Sequence, residues 1–255
     1  MLLTIDIGNT NITLGVFEGE QLHATWRMAT NVDHMADEYA VLLLNLFRHK
    51  NIDTSDIKDI SLCSVVPPLT TTFVDLLQRY FNTMPLVVGV GVKTGVSIRM
   101  DNPREVGADR IANAAAVHHL YSGTIIVIDL GTATTFDTVS KEGDYLGGAI
   151  APGVVTASEA LYTRTSALPR LELVHPERAI GTNTITAMQS GIVFGYVGLI
   201  EGIVARIQKE LGEKATVVAT GGYAELIAKE TGVIDKVNPD LTLIGLRLIY
   251  QMNKT

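Results

Sequence analysis

Met1–Phe17, MLLTIDIGNTNITLGVF, decides how the rest of the chain is read. An apolar run ends at Asp6-Ile7-Gly8-Asn9-Thr10 and resumes as an alternating run through Ile12, Leu14 and Val16. That pattern predicts strand, tight turn, strand. Gly8 has no Cβ to keep a ligand off the backbone. Asp6, Asn9, Thr10, Asn11 and Thr13 bring side-chain donors and acceptors, with backbone N–H groups beside them. Such a turn suits a phosphate and its magnesium ion. Asn, Gly and Asp are also common in ordinary hairpins, so the turn alone leaves both readings open.

A second copy of the pattern follows. Thr124–Val139, TIIVIDLGTATTFDTV, is again an apolar run, then Asp129-Leu130-Gly131-Thr132, then a Thr-rich alternating run. The two aspartates are 123 positions apart, and Gly8 and Gly131 keep that offset. The repeat predicts two related halves, each opening with strand, turn and strand. Two such turns would grip a polyphosphate. A third glycine turn, Thr220-Gly221-Gly222, separates the apolar stretch Ala215–Ala219 from a helix expected near Tyr223. It fits a ring or sugar laid against the backbone, or equally a connection that needs positive φ.

Between these landmarks strands and helices alternate, predicting mixed sheets flanked by helices. Gln21–Met28 reads as a third strand. Asp33 can cap a helix to about His49, with Met35, Tyr39, Leu42, Leu43 and Leu46 as its buried stripe. Ile57–Val66 reads as a strand, and Pro67-Pro68 open a helix that turns Phe73, Leu76, Leu77 and Tyr80 inward. Leu86–Val90 reads as a strand, and residues 89–106 as an irregular arm. Gly107-Ala108-Asp109-Arg110 then precede the Ala-rich helix IANAAAVHHL. Asp109 at that helix start fits an N-cap. Arg110 does not suit the positive end of a helix, which favours a ligand role. In the second half, Tyr145–Ala151 reads as a strand, Ala157–Tyr162 as a helix and Thr163–Gly181 as a polar irregular loop. A long helix runs from Thr182 or Asn183 to Leu211, and a last one from about Asp240 to Met252. Gly191, Gly195, Gly198 and Gly202 stripe the long helix at considerable cost in helix propensity. That predicts a close neighbour, either another element of the chain or a symmetry-related helix in a homodimer.

With 255 residues, 47% hydrophobic and 18% charged, the chain can bury a large core. A net charge of −7 argues against a nucleic-acid partner, so an anionic substrate must be held locally by backbone N–H groups, a few cations and metal ions. Cys63 is the one cysteine, set in an apolar run, which fits a small core residue and a reducing, cytoplasmic location. No signal peptide is expected, and no apolar run is expected to approach the roughly 20 residues of a membrane span.

Taken together, DIGNTN, DLGTATTFD and ATGG resemble the acetate and sugar kinase, Hsp70 and actin superfamily. GADR (Gly107–Arg110) and GGAIAPG (Gly147–Gly153) narrow the resemblance to type III pantothenate kinase, over nearly the whole chain. The resemblance implies an α/β fold of two actin-like (ribonuclease H-like) halves, residues 1–115 and 116–255, each a mixed sheet flanked by helices. It implies ATP and pantothenate as substrates, Mg²⁺, a monovalent cation (K⁺ or NH₄⁺) and a homodimer. By the same resemblance Asp6, Ile7, Gly8, Asn9, Thr10, Asn11, Ile12 and Thr13 contact ATP. Thr132 contacts its phosphates and Gly221 and Gly222 border the adenosine. Gly107, Ala108, Asp109, Arg110 and Thr184 bind pantothenate, with Asp109 the expected general base. Asp6 is assigned to Mg²⁺ and Asp129 to the monovalent cation, although Asp129 also suits a second Mg²⁺ carboxylate. The same scaffold carries acetate, sugar and polyol kinases, phosphatases and nucleotide-dependent regulatory or scaffold proteins, so the acceptor rests on GADR and GGAIAPG.

Overall fold

The structure, a computed structural model, describes residues 1–254. In chain order its elements are β1 (Leu2–Ile7), β2 (Asn11–Glu18), β3 (Gln21–Ala29), α1 (Ala36–His49), β4 (Asp59–Ser64), α2 (Pro67–Phe81) and β5 (Leu86–Val87). There follow β6 (Ser97–Ile98), α3 (Ala108–Leu120), β7 (Ile125–Leu130), β8 (Ala133–Val139), β9 (Asp144–Pro152), α4 (Val154–Arg164) and α5 (Thr184–Leu211). The chain closes with β10 (Thr216–Thr220), α6 (Ala224–Ala228), β11 (Lys236–Val237) and α7 (Leu241–Asn253).

Two compact units emerge. The first takes residues 1–96, 101–116 and the chain from Leu241 onward; the second takes Ser97–Met100 and Val117–Asp240. The division falls within α3, and the last helix is grouped with the first unit.

Unit 1 is built on a sheet of order β3-β2-β1-β4-β5. β1 runs antiparallel to β2 and parallel to β4, because a four-residue turn can only return the chain antiparallel, whereas β4 arrives after α1. Leu3, Ile5, Ile7, Ile12, Leu14 and Val16 are fully buried, in one core with Tyr39, Leu43 and Phe73. α7 packs on the same unit: an added Cβ at Gly245 would strike the Ala112 backbone, and Thr242 Oγ1 donates to Asn113 Oδ1 at 2.8 Å.

Unit 2 repeats the plan. Its sheet has the order β11-β10-β7-β8-β9-β6, with β7 antiparallel to β8 and parallel to β10. Without the short edge strand β6 it matches the first sheet strand for strand, read from the opposite edge. Its core gathers Ile126, Ile128, Leu130, Phe136, Val193, Tyr196 and Ile200.

Three local expectations change. α1 begins at Ala36, not after an Asp33 cap: the Asp33 N–H donates to Asn31 Oδ1 in a turn, and the Glu38 carboxylate takes the Met35 N–H at 2.8 Å. Its inward face is therefore Tyr39, Ala40, Leu43 and Phe47, while Met35 and Leu42 are exposed. Tyr80 also lies outward, its hydroxyl donating to Asp37 Oδ1 at 2.8 Å, since a phenol at the rim can satisfy its O–H there. The expectation of no membrane-length segment is corrected too, because Thr184–Leu211 is long and apolar enough to cross one by length and composition. A core helix passes the same test, and α5 places Ile192, Val193, Tyr196, Ile200 and Val204 in the unit 2 core. On its glycine stripe, a Cβ added at Gly191, Gly195 or Gly198 would meet no other described element within 4 Å, while one at Gly202 would lie 3.2 Å from the Arg206 guanidinium.

Candidate active site

In unit 1 the chemistry gathers at the ends of β1 and β4. Asp6 is the penultimate residue of β1, paired across the sheet with Thr13 on β2 and Cys63 on β4. The Cys63 thiol donates to Asp6 Oδ1 at 3.2 Å. Burial, then the negative charges of Asp6 and Asp109, hold that thiol well above its ordinary pKa, so it stays protonated as a donor. Ala108, at the start of α3, packs against the same buried cluster as Cys63. Cys63 is a fully buried core residue as expected, and the β1–β4 register also makes it Asp6's neighbour.

The turn after Asp6 is closed by the Gly8 N–H donating to Asn11 O at 3.0 Å. Asn9, Thr10 and Asn11 are exposed, whereas Ile7 and Ile12 are fully buried. Alternation sends those two side chains into the core, which leaves only their backbone to meet a ligand. The turn is held from outside by Thr30, just past the end of β3. Its Oγ1 donates to Gly8 O at 2.6 Å and its N–H to Thr10 O at 2.9 Å.

Asp109 stands in the first turn of α3, one residue inside the position expected of a cap. The helix starts at Ala108, and Gly107 O accepts from the Ile111 N–H at 3.1 Å. Asp109 Oδ1 accepts the Arg110 N–H at 2.8 Å, so it satisfies one open first-turn amide and adds negative charge at the helix's positive end. A Cβ on Gly107 would have to displace that same carboxylate, so the glycine leaves the Asp109 side chain where it is. Unit 1 therefore brings together Asp6, the 8–13 turn and Asp109.

In unit 2, Asp129 is the penultimate residue of β7, opposite Thr135 on β8 and Thr220 on β10. The Gly131 N–H donates to Ala133 O at 3.1 Å, closing a turn whose Gly131 and Thr132 are exposed. Thr132 O accepts twice, from the Gly153 N–H at 3.1 Å and from Thr156 Oγ1 at 2.8 Å. A Cβ at Gly153 would collide with the Gly131 and Thr132 carbonyls, which is why the GGAIAPG segment ends in glycine. Gly221 has φ +92°, and a Cβ on it would lie 2.7 Å from Asp129 Oδ1. It brings the glycine pair against the second aspartate turn, with Gly222 exposed beside it. Thr184 is also exposed, at the first position of α5, whose cap Asn183 accepts the Thr186 N–H at 2.9 Å. A cleft of about 370 Å³ along residues 174–189 includes none of the expected site residues.

Among the described residues no group of three or more His, Cys, Asp or Glu could hold a metal ion. A caged structural metal does not fit this donor set. A hydrated Mg²⁺ fits, as it keeps several waters and needs only one or two carboxylates plus phosphate oxygens. Each unit taken by itself offers part of what phosphoryl transfer demands: an aspartate turn with backbone donors and few carboxylates, and in unit 1 an acidic side chain at the start of α3.

Comparison with known proteins agrees with this chemistry. The family model for type III pantothenate kinase matches residues 2–206. A type III pantothenate kinase from Dehalococcoides mccartyi (strain CBDB1) is 60% identical over 253 residues, covering 99% of this chain and 96% of the relative. One from Moorella thermoacetica (strain ATCC 39073 / JCM 9320) is 53% identical, covering 99% and 100%. Among solved structures, the inorganic polyphosphate/ATP-glucomannokinase of Arthrobacter sp. strain KM superposes with a TM-score of 0.52 at 14% identity, covering 99% of each chain, a likeness of fold alone.

Proposed function

We infer the reaction from one premise: this chain belongs to the type III pantothenate kinase family. It is a kinase that moves the terminal phosphoryl group of ATP to the primary hydroxyl of pantothenate, giving 4'-phosphopantothenate, the first step of coenzyme A synthesis. The observation that supports the site assignment is the Asp6 carboxylate beside the Gly8 turn, held by the Cys63 thiol, with the start of α3 that carries Asp109 packed through Ala108 on the same cluster as Cys63.

In this reading Asp6, the backbone of residues 7–13 and Thr132 take the ATP phosphates, and Gly221 and Gly222 border the adenosine. Gly107–Arg110 and Thr184 take pantothenate, with Arg110 pairing its carboxylate. Asp109 accepts the hydroxyl proton as the oxygen bonds to the γ-phosphorus and the bond to the ADP oxygen breaks. Asp6 would hold Mg²⁺, and Asp129 a monovalent cation such as K⁺ or NH₄⁺; these ions supply charge neutralisation at the phosphates. A coupled ADP assay with pantothenate, sugars and acetate as acceptors, with and without K⁺, tests the assignment. Turnover is expected with pantothenate; equal turnover with a sugar or acetate would overturn it.

The open glycine stripe on α5 supports a homodimer, since a symmetry-related helix can approach Gly191, Gly195 and Gly198, where no element among the described residues does. Gly198→Leu should lower the mass seen by light scattering; an unchanged mass and melting temperature would remove the stripe from any interface. A cytoplasmic location fits the single buried thiol.

A further inference from the structure

We propose that Thr30 is a positioning residue for nucleotide binding: it fixes the direction of the Asn9 and Asn11 N–H groups in the first phosphate turn. In a trans peptide the C=O and the following N–H point in opposite directions, and the chain has no cis bonds among the described residues. Gly8 O is held by Thr30 Oγ1 at 2.6 Å, so the N–H of the same peptide, that of Asn9, points away from the end of β3. Thr10 O is held by the Thr30 N–H at 2.9 Å, so the Asn11 N–H points away from it too. One residue therefore sets two peptides of an exposed turn and turns both donors the same way. Donors aimed before the ligand arrives cost no reordering on binding.

Unit 2 solves the same problem at the same topological place. Its turn carbonyl, Thr132 O, is held by Gly153 and Thr156, just past the end of the third strand of that sheet. Two different sequences thus anchor the outer carbonyls of an aspartate turn from the end of the third strand. A threonine doing no more than finishing β3 would not need its hydroxyl on Gly8.

The inference rests on the reading that ATP phosphates meet the 8–13 turn, and the experiment separates the two. Thr30→Val keeps the shape and the backbone N–H but removes the hydroxyl donor; Thr30→Ser keeps the donor. Steady-state kinetics should show KM for ATP raised about tenfold in Thr30→Val, KM for pantothenate unchanged, and near-normal values in Thr30→Ser. Amide NMR with the non-hydrolysable analogue AMP-PNP and Mg²⁺ is recorded alongside. Large shifts at Asn9 and Asn11 in the unaltered protein uphold the phosphate reading, and no shift there sinks it. If those shifts occur and Thr30→Val leaves KM for ATP unchanged, the positioning role fails while the phosphate reading stands. Should Thr30→Val not fold, the Thr30→Ala variant carries the same expectation, and a normal KM for ATP there likewise overturns it.

Discussion

The two aspartate turns share a plan but differ in how each is confined. In unit 1, four residues separate the last paired positions, Ile7 and Ile12; in unit 2, three separate Leu130 and Thr134. Beside Asp6 the parallel strand supplies a thiol, whereas beside Asp129 it supplies Thr220. Past that strand, unit 1 continues through Ser64 into a proline-started helix, where Ser64 Oγ accepts the Val66 N–H at 3.1 Å. Unit 2 continues through Gly221, pressed on Asp129 with positive φ. The difference teaches that duplication preserved the hydrogen-bond plan of the turn and left its surroundings free to specialise, with space for side chains in one copy and bare backbone in the other.

The strongest way to break this comparison is at Asp109, the acid in the first turn of α3 in unit 1. Asp109→Asn should lower kcat by roughly 10²–10⁴ while the melting temperature and ATP binding stay close to normal. Near-normal turnover would remove Asp109 from the base role, and loss of folding would mark it as a structural cap.

A smaller effect should appear at the bare backbone of unit 2. Gly221→Ala introduces a Cβ 2.7 Å from Asp129 Oδ1 at φ +92° and should cost about 1–3 kcal/mol in urea unfolding. Gly131→Ala is the control, since its Cβ would sit 3.4 Å from the same oxygen, an ordinary contact. Equal losses for the two would show that Gly221 is not the confining residue.

The smallest effect concerns a fastening found in unit 1. Asp59 accepts from Tyr250 Oη at 2.5 Å and from Lys254 Nζ at 2.8 Å, tying β4 to the C-terminal helix. Burial raises the Asp59 pKa, but the hydrogen bonds from Lys254 and Tyr250 outweigh it and leave the carboxyl below its usual range. A lowered folded-state value means stability that is present above the unfolded carboxyl pKa and lost as the pH falls through the folded one. Melting temperature should therefore fall below about pH 4, and Asp59→Asn should flatten that acid limb. An identical limb in the variant would place the acid sensitivity elsewhere. The same contacts, with burial first, push Tyr250 up to about 12.

Much of the site was legible in the residue order, for a local reason. Asp6, Gly8 and Asp129 lie where an apolar run meets a polar turn, and period-two alternation marks that junction without any partner. Asp109 was legible as a helix start because an Ala-rich run follows it. Cys63, Thr30, Gly153 and Thr156 were not read as site residues. Each acts through a neighbour at least 20 positions away, reached by strand register or by the crossing of a sheet edge. α1 shows the same limit: Asp33 had the chemistry of a cap, yet Asn31 and Glu38 took the local hydrogen bonds and moved the start to Ala36.

By itself the sequence determined the repeated strand–turn–strand units, the glycines that let backbone approach backbone, and the kinase family, because each is written in short-range pattern and motif order. Only the tertiary structure decided which side chain stands beside each aspartate, which residue aims the turn's amides, and that the last helix packs with the first unit. Those outcomes depend on pairing between distant segments, and a hydrogen bond has no signature in residues that lie 22 or 191 positions apart.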